Sequence, residues 1–163
     1  MTKTTSGMPV RMAFAATVLG VGALFGSAAS AATCPAAQVA VGARTTGEMA
    51  PKDVTDMELA FVDLAKEING LDGRRLRIRR LVVQPGGVVP WHSHDDRPAL
   101  IMTLEGSITE YRSDCAAPIE HPAGDVARES GGISHWWRNN GTVPAVLISA
   151  DIKNDGPASD DAM

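Results

Sequence analysis

The sequence predicts a single all-β domain, built as a sandwich or a barrel. Short stretches rich in apolar and β-branched residues recur about every ten residues along its central part, with turn residues between them. A chain of 163 residues has room for one domain with one modest core. Its 44% hydrophobic and 21% charged content argues against a disordered chain, a collagen-like fibre or a coiled coil. The net charge of -4 argues against a nucleic-acid partner, which would require a basic face.

The N-terminal residues have the pattern of a secretory signal peptide. Two basic residues precede the apolar run Met12–Phe25, and small residues follow that include an A-x-A cleavage pattern at Ala29–Ala31. We therefore predict that residues 1–32 are a signal peptide, cleaved after Ala31 or Ala32. The protein is then expected to be periplasmic or secreted, with no stable membrane association. An uncleaved membrane anchor is the alternative.

An extended leader, residues 33–52, is predicted to follow the signal peptide. It contains Cys34, and the only other cysteine is Cys115. In an oxidising compartment, two cysteines suggest one disulfide, which would join the leader to the middle of the domain. Two unpaired thiols are the alternative. Because the sequence contains no Cys-x-x-Cys motif, a thiol redox catalyst is not predicted.

The first part of the predicted barrel contains one ambiguous segment and one clear strand. Val54–Ile68 has good helix formers, yet its apolar residues alternate as in a strand. In the next segment Leu76 and Ile78 point to one side and three arginines point to the other. We expect this arginine face to be solvated, although one arginine could reach an acidic partner inside the barrel. The three are Arg75, Arg77 and Arg79.

Gly86 and Gly87 interrupt this strand, and further strands separated by turns complete the domain. The later predicted strands are Leu100–Leu104, Ile108–Arg112, Val126–Glu129, Ile133–Arg138 and Ala145–Asp151. We therefore assign residues 53–152 to the barrel domain. The polar residues 153–163 are predicted to be a disordered tail.

Three of the four histidines are placed where β geometry can bring them together. His92 and His94 are two residues apart on one predicted strand, so their imidazoles project from the same face. His135 begins a later strand that an antiparallel barrel could place opposite them. Converging imidazoles suit Fe(II), Mn(II), Zn(II), Ni(II) or Cu(II). The fourth, His121, precedes a proline in a predicted turn and is expected to be exposed.

The spacing of these histidines and of several glycines resembles the two motifs of the cupin family. The segment Gly86–His94 matches the opening of the first motif, and Gly106 matches its end. Two positions differ: Ala99 stands where the family carries a glutamate ligand, and Ser130 replaces a proline. The second motif is matched by Gly124, Gly132, His135 and Asn139. The chain thus resembles a small single-domain cupin, and the resemblance implies a cupin β-barrel of the jelly-roll-like type.

This resemblance also implies a metal centre. Its ligands would be His92, His94 and His135, with Asn139 as a structural residue at a turn. The cofactor would be a divalent transition metal, with Fe(II) favoured and Mn(II), Zn(II) or Ni(II) as alternatives. Because the glutamate is missing, the resemblance points to the three-histidine site of some cupin dioxygenases, which leaves open positions for substrate and dioxygen.

Two alternatives to the three-histidine site remain open at this point. An oxygen ligand could come from Asp95 or Asp96, directly after His94, or the site could hold no functional metal. Glu129 and Tyr111 are candidate acid–base groups, but the sequence does not define their distance from the metal.

Strand alternation predicts the residues that line the pocket. Trp137 shares a strand face with His135, and two residues of the preceding strand share a face with Ala99. The predicted pocket residues are therefore Trp137, Ala99, Ile101 and Thr103.

Two functions fit these expectations. One is an exported metal-dependent enzyme, for which an Fe(II) dioxygenase acting on a small organic substrate is the favoured type. The other is a non-catalytic cupin that binds or senses a small molecule. The resemblance also implies that two copies could pair through edge strands as a homodimer.

Overall fold

The computed structural model describes residues 1–2 and 32–156. The predicted signal peptide therefore lies outside the described residues except at its two ends, as do residues 157–163 of the predicted tail. In the described part of the chain, no helix is long and apolar enough to cross a membrane.

Eight strands form one continuous sheet that folds back on itself, which confirms the predicted all-β class. The ambiguous segment is a strand as far as Asp63, because its alternating residues pair along the neighbouring strand. Its last part contains a 3-10 turn, Leu64–Lys66, and another, Ala36–Gln38, lies in the leader. The strands are β1 (Lys52–Asp63), β2 (Arg74–Ser93), β3 (Ala99–Glu105), β4 (Ser107–Arg112), β5 (Ile119–Pro122), β6 (Val126–Glu129), β7 (Ser134–Arg138) and β8 (Ala145–Asn154).

The long strand β2 belongs to both layers of the barrel. Its first half pairs with β1 and β8, and its second half, from Val88 onwards, pairs with β7. The two halves meet at Gly86, whose φ of 76° is a conformation that a glycine adopts at little cost. The predicted break is therefore a bend within one strand. The layers are β1-β2-β8-β3-β6 and β2-β7-β4-β5.

A compact apolar cluster lies between the two layers. It is closed on one side by Asn139, whose buried amide donates to the carbonyl oxygens of Val83 at 2.9 Å and Val143 at 2.8 Å. Asn139 thus has the structural role that the cupin resemblance implies. The cluster consists of Leu81, Val83, Ile101, Ile108, Ala127, Trp137, Ala145 and Leu147.

Arg77 and Arg79 of β2 point into the barrel, so the expected solvated face is wrong for these two arginines. The apolar Leu76 and Ile78 are 44% and 38% exposed, whereas the side chain of Arg77 is only 12% exposed. Arg77 faces Asp151 across the β2–β8 pair and donates to it at 3.0 and 2.8 Å. Burying these guanidinium groups is tolerable because inward-facing carboxylates pair with them.

The leader is tied to the second layer by the predicted disulfide. Cys34 and Cys115 are bonded, with their Cα atoms 5.8 Å apart, and Val39 forms a β-bridge with Cys115.

At the other end of the domain, β8 continues to Asn154, two residues beyond the predicted end of the barrel.

Candidate metal centre

Three histidines meet at one point inside the barrel, as the sequence predicts. His92 lies near the end of β2, His94 directly follows that strand, and His135 of β7 is the cross-strand partner of His92. The Nε2 atom of His92 is 3.0 Å from that of His94 and 3.1 Å from that of His135. The distances between ring centroids are 4.6 to 4.9 Å.

Each of these imidazoles has an acceptor at its Nδ1 atom, so that its Nε2 atom faces the other two rings. The acceptors are the carbonyl of Pro90 at 2.8 Å from His92, the carbonyl of Arg97 at 2.6 Å from His94, and a carboxylate oxygen of Glu110 at 2.5 Å from His135. When Nδ1–H donates to these oxygens, the three Nε2 lone pairs point at one another. Burial, together with the neighbouring His135, lowers the pKa of His92 to about 3 and keeps that ring neutral.

A carboxylate that was not predicted as a ligand completes the cluster. One oxygen of Glu129 is 2.8 Å from Nε2 of His94, and the other is 3.4 Å from Nε2 of His135. Glu129 is fully buried, yet neither of its oxygens has a hydrogen-bond partner. When Nδ1–H of His94 donates to the carbonyl of Arg97, Nε2 presents a lone pair to Glu129 and no proton.

These four side chains fit a divalent metal ion. One ligand atom from each of His92, His94, Glu129 and His135 lies within 4.8 Å of the others. Converging lone pairs and an unpaired buried carboxylate repel one another unless a cation lies between them. Three imidazoles and one carboxylate suit a first-row transition metal but do not select one.

Glu129 therefore corrects the predicted ligand set. Asp95 and Asp96 are exposed, and Asp96 pairs with Arg74 and Asn154 instead of pointing at the histidines. The alternation of β6, with Ala127 and Glu129 inside and their neighbours outside, was the signal that could have indicated an inward carboxylate.

A cavity of about 250 Å³ opens directly above the cluster. Trp137 and Ile101 line it, as predicted, whereas the other two predicted pocket residues do not. Ala99 lines a separate shallow depression, and Thr103 is buried outside the cavity. The wall is formed by Asp56, Arg79, Leu81, Val89, Pro90, His92, His94, Arg97, Ile101, Glu129, Trp137 and Leu147.

One side of this cavity is lined by two guanidinium groups and by Asp56, which pairs with Arg79. Arg79 and Arg97 both lie near the buried Asp151, at 3.4 and 3.6 Å. Asp151 already receives two hydrogen bonds from Arg77. Burial and repulsion by Arg79 lower the pKa of Arg97.

His121 is buried, so its predicted position in an exposed turn is wrong. It lies in β5 and is 1% exposed, between Asp125 at 2.6 Å and Glu110 at 3.0 Å. Burial raises the pKa of Glu110, but its hydrogen bonds with His121 and His135 outweigh that effect and lower the pKa to about 2. His135, Glu110, His121 and Asp125 thus form a row of contacts that starts at the candidate metal site. Glu110 was not predicted from the sequence.

Tyr111 is turned away from the metal cluster. It is the cross-strand partner of Trp136, and the two rings stack at 4.1 Å on the opposite strand face from Glu110. The phenol therefore has no position from which to act as an acid or base at the metal.

Comparison with known proteins agrees with this architecture. Residues 79–151 match the family model of the cupin domain. The chain is 31% identical over 86 residues to germin-like protein subfamily 2 member 1 of Arabidopsis thaliana, covering 51% of this chain and 39% of that protein. It is 29% identical over 87 residues to auxin-binding protein ABP19b of Prunus persica, covering 52% and 42%. The chain thus spans about two fifths of the length of these relatives.

The fold is also seen in a solved structure, that of a predicted oxalate decarboxylase from Thermotoga maritima. The TM-score is 0.52 with 21% sequence identity, over 74% of this chain and 97% of that chain. At this level of identity, the similarity shows a shared fold.

Proposed function

We propose, from the match of residues 79–151 to the cupin-domain family model, that this chain is a cupin and a metal-dependent enzyme of the dioxygenase type. Its metal ligands are the three histidines and Glu129. Its substrate is a small organic anion that binds in the cavity above them. When bound, the metal supplies an open coordination position for activating substrate and dioxygen.

The buried, unpaired carboxylate of Glu129 is the observation that carries the metal site. Burying an ionised carboxylate without a partner costs several kcal/mol. A divalent cation between Glu129 and the three Nε2 atoms removes that cost, and it also accounts for the convergence of three lone pairs. Fe(II) and Mn(II) are the ions that we favour, because both accept imidazole and carboxylate ligands.

The chain itself contributes orientation and exclusion of water. Acceptors at all three Nδ1 atoms hold the imidazoles in one tautomer. Trp137, Ile101 and Leu147 form an apolar part of the cavity wall, which limits access of water to bound substrate.

Arg97 supports an anionic substrate. Its side chain is 27% exposed in the cavity, and its closest ion pair is a long one, 3.6 Å from an Asp151 oxygen that Arg77 already occupies. A carboxylate bound to the metal could receive hydrogen bonds from this guanidinium, which presents paired N–H groups.

A non-catalytic binding protein is the second candidate. One relative is named for binding auxin, and a cavity with a metal and an arginine could retain a small molecule without converting it. Turnover distinguishes the two functions.

We also propose that the protein is exported. The disulfide between Cys34 and Cys115 supports this location, because such bonds persist in oxidising compartments and are rare in the cytosol of mesophiles.

Metal content tests the proposed site. Wild type, His92→Ala, Glu129→Ala and the control Asp95→Ala, which alters an exposed neighbour, would be purified without a His-tag and analysed by mass spectrometry for metals. We expect about one divalent ion per chain in the wild type and the control, and loss of it in the other two. A wild type that takes up no metal after anaerobic incubation with Fe(II) or Mn(II) overturns the proposal.

Oxygen uptake tests the chemistry. The metal-loaded protein would be screened with small carboxylates, diketones and phenols, beside an Arg97→Gln variant. We expect turnover of an anionic substrate and a raised KM in the variant, with little change for neutral compounds. Full metal occupancy with ligand binding and no turnover overturns the enzyme in favour of the binding protein.

A further inference from the structure

The buried carboxylate of Asp125 connects the backbone of Ala32 to the row of buried groups formed by His121, Glu110 and His135. Asp125 lies in the turn between β5 and β6 and is 3% exposed. Its Oδ2 atom contacts Nδ1 of His121 at 2.6 Å, and its Oδ1 atom accepts a hydrogen bond from the backbone N–H of Ala32 at 2.9 Å. The second contact joins residues that are 93 positions apart.

The row that begins at Asp125 places one basic ring between two carboxylates. Both ring nitrogens of His121 face carboxylates, which can only accept, so both must be protonated and the ring is a cation. Burial opposes that charge, but the hydrogen bonds with Glu110 and Asp125 outweigh it and raise the pKa of His121. One imidazolium therefore stands between two carboxylates, all of them buried.

No other cation in the described residues compensates Asp125. His121 is the only basic side chain that pairs with it there, and Glu110 shares the same ring. Arg112 acts on Glu110 from nearby, but it is already paired with Asp114 at 2.8 and 2.9 Å. Among the described residues Asp125 therefore has no basic partner of its own, and the other atom that contacts its carboxylate is a backbone nitrogen.

This nitrogen directly follows the A-x-A pattern of Ala29–Ala31. We infer that signal cleavage occurs between Ala31 and Ala32, and that the new α-ammonium group of Ala32 binds Asp125, which otherwise shares the ring of His121 with Glu110. The inference rests on the proposed export. A signal peptidase and water supply the step: the Ala31 C–N bond is hydrolysed, Ala31 keeps the carboxylate and Ala32 keeps the amine, which is protonated.

The disulfide holds the new N-terminus in place. Cys34, two residues after Ala32, is bonded to Cys115, and the leader also bridges to that residue through Val39. A free chain end normally loses such a contact through its own mobility. With the leader anchored, the ammonium group stays beside Asp125, where a charge-assisted hydrogen bond is about twice as strong as the neutral one that precedes cleavage.

N-terminal sequencing and intact mass of the exported protein give the first test. We expect a chain that begins at Ala32. A chain that begins at Thr33 or later has no Ala32 amine and overturns the inference.

A charge-removal cycle gives the second test and requires no metal. Protein that begins at Ala32 would be compared with the same protein carrying an N-terminal acetyl group, each with and without Asp125→Asn. Acetylation should lower the denaturant midpoint of the wild type and have no effect in Asp125→Asn. In the control Asp72→Asn, at an exposed turn, acetylation should still lower the midpoint. An equal effect of acetylation in all three overturns the inference.

A one-residue extension serves if Asp125→Asn does not fold. Protein that begins at Ala31 keeps an amine but displaces it from Asp125, so its midpoint should fall as far as that of the acetylated protein. An unchanged midpoint overturns the inference. Because these midpoints are measured on metal-free protein, this inference can fail while metal binding persists. Conversely, absence of metal binding with an intact charge cycle overturns the proposed function alone.

Discussion

Ala99 of β3 and Glu129 of β6 are paired directly across the two strands. Side chains of directly paired residues project from the same face and start about 5 Å apart. The cupin motif would carry a carboxylate at position 99, and here a carboxylate on the opposite strand reaches His94 and His135. The proposed ligand therefore lies on the neighbouring strand but on the same inner face.

Moving this carboxylate back across the strands should restore the site. We predict that Glu129→Ala weakens metal binding by more than about tenfold. Loss of a group that only hydrogen-bonds to a ligand already lowers metal affinity by about tenfold or more, and this variant removes a proposed ligand itself. The double variant Ala99→Glu/Glu129→Ala should recover part of the affinity. Competition with a fluorescent chelator measures both. Equal affinity of Glu129→Ala and wild type would contradict the ligand assignment.

Glu110 should act on the metal through His135. Replacing it with glutamine removes the anionic acceptor at Nδ1, and we predict an affinity lower by about 10- to 100-fold. The same chelator assay measures it, with Glu105→Gln as control because that glutamate is exposed at the end of β3. A Glu110→Gln variant that binds metal as tightly as the control shows that this carboxylate does not support the ligand.

Asp151 should determine part of the acid sensitivity of the fold. Its burial raises its pKa, but the hydrogen bond with Arg77 and the charges of Arg79 and Arg97 outweigh this and lower the pKa. An aspartate whose pKa is lowered in the folded state stabilises the fold above its unfolded pKa of about 3.9, and that stability disappears as pH falls through the folded value.

We therefore predict that Asp151→Asn is less stable at pH 7 by about 3 to 5 kcal/mol, because buried guanidinium groups lose their partner. The difference from wild type should shrink as the pH falls below about 4. Urea unfolding from pH 3 to 7 measures this, with Asp72→Asn as an exposed control. A pH-independent difference would contradict the role of the ion pairs.

The disulfide should stabilise the fold substantially. It closes a loop of 81 residues, which corresponds to about 4 kcal/mol in the chain-entropy model. We predict a loss of that order in the double variant Cys34→Ser/Cys115→Ser. Unfolding with and without reductant measures it: reductant should lower the stability of the wild type to that of the variant and leave the variant unchanged. A wild type that reductant does not affect would contradict the prediction.

The sequence alone was sufficient for the class, the family resemblance and three of the four residues of the candidate metal site. Spacing within one strand determines which side chains share a face, so His92 and His94 could be grouped from two residues of separation. That shared face is a local property, which a strand has before it pairs with another. The resemblance to the cupin motifs then implied that His135 joins them and that Asn139 lies at a turn.

Only the tertiary structure decided which face of each strand lies inside and which distant residues meet there. Alternation placed Arg77 and Ile78 on opposite faces of the strand, but hydrophobicity suggested the wrong inner face. The guanidinium group of Arg77 is inside because it pairs with carboxylates from two other strands. The register of β3 with β6 placed Glu129 at the histidines, and the pairing of β4 with β5 buried His121 against Glu110. Strand register depends on pairing between residues far apart in the chain, and a pattern within one segment carries no information about that pairing.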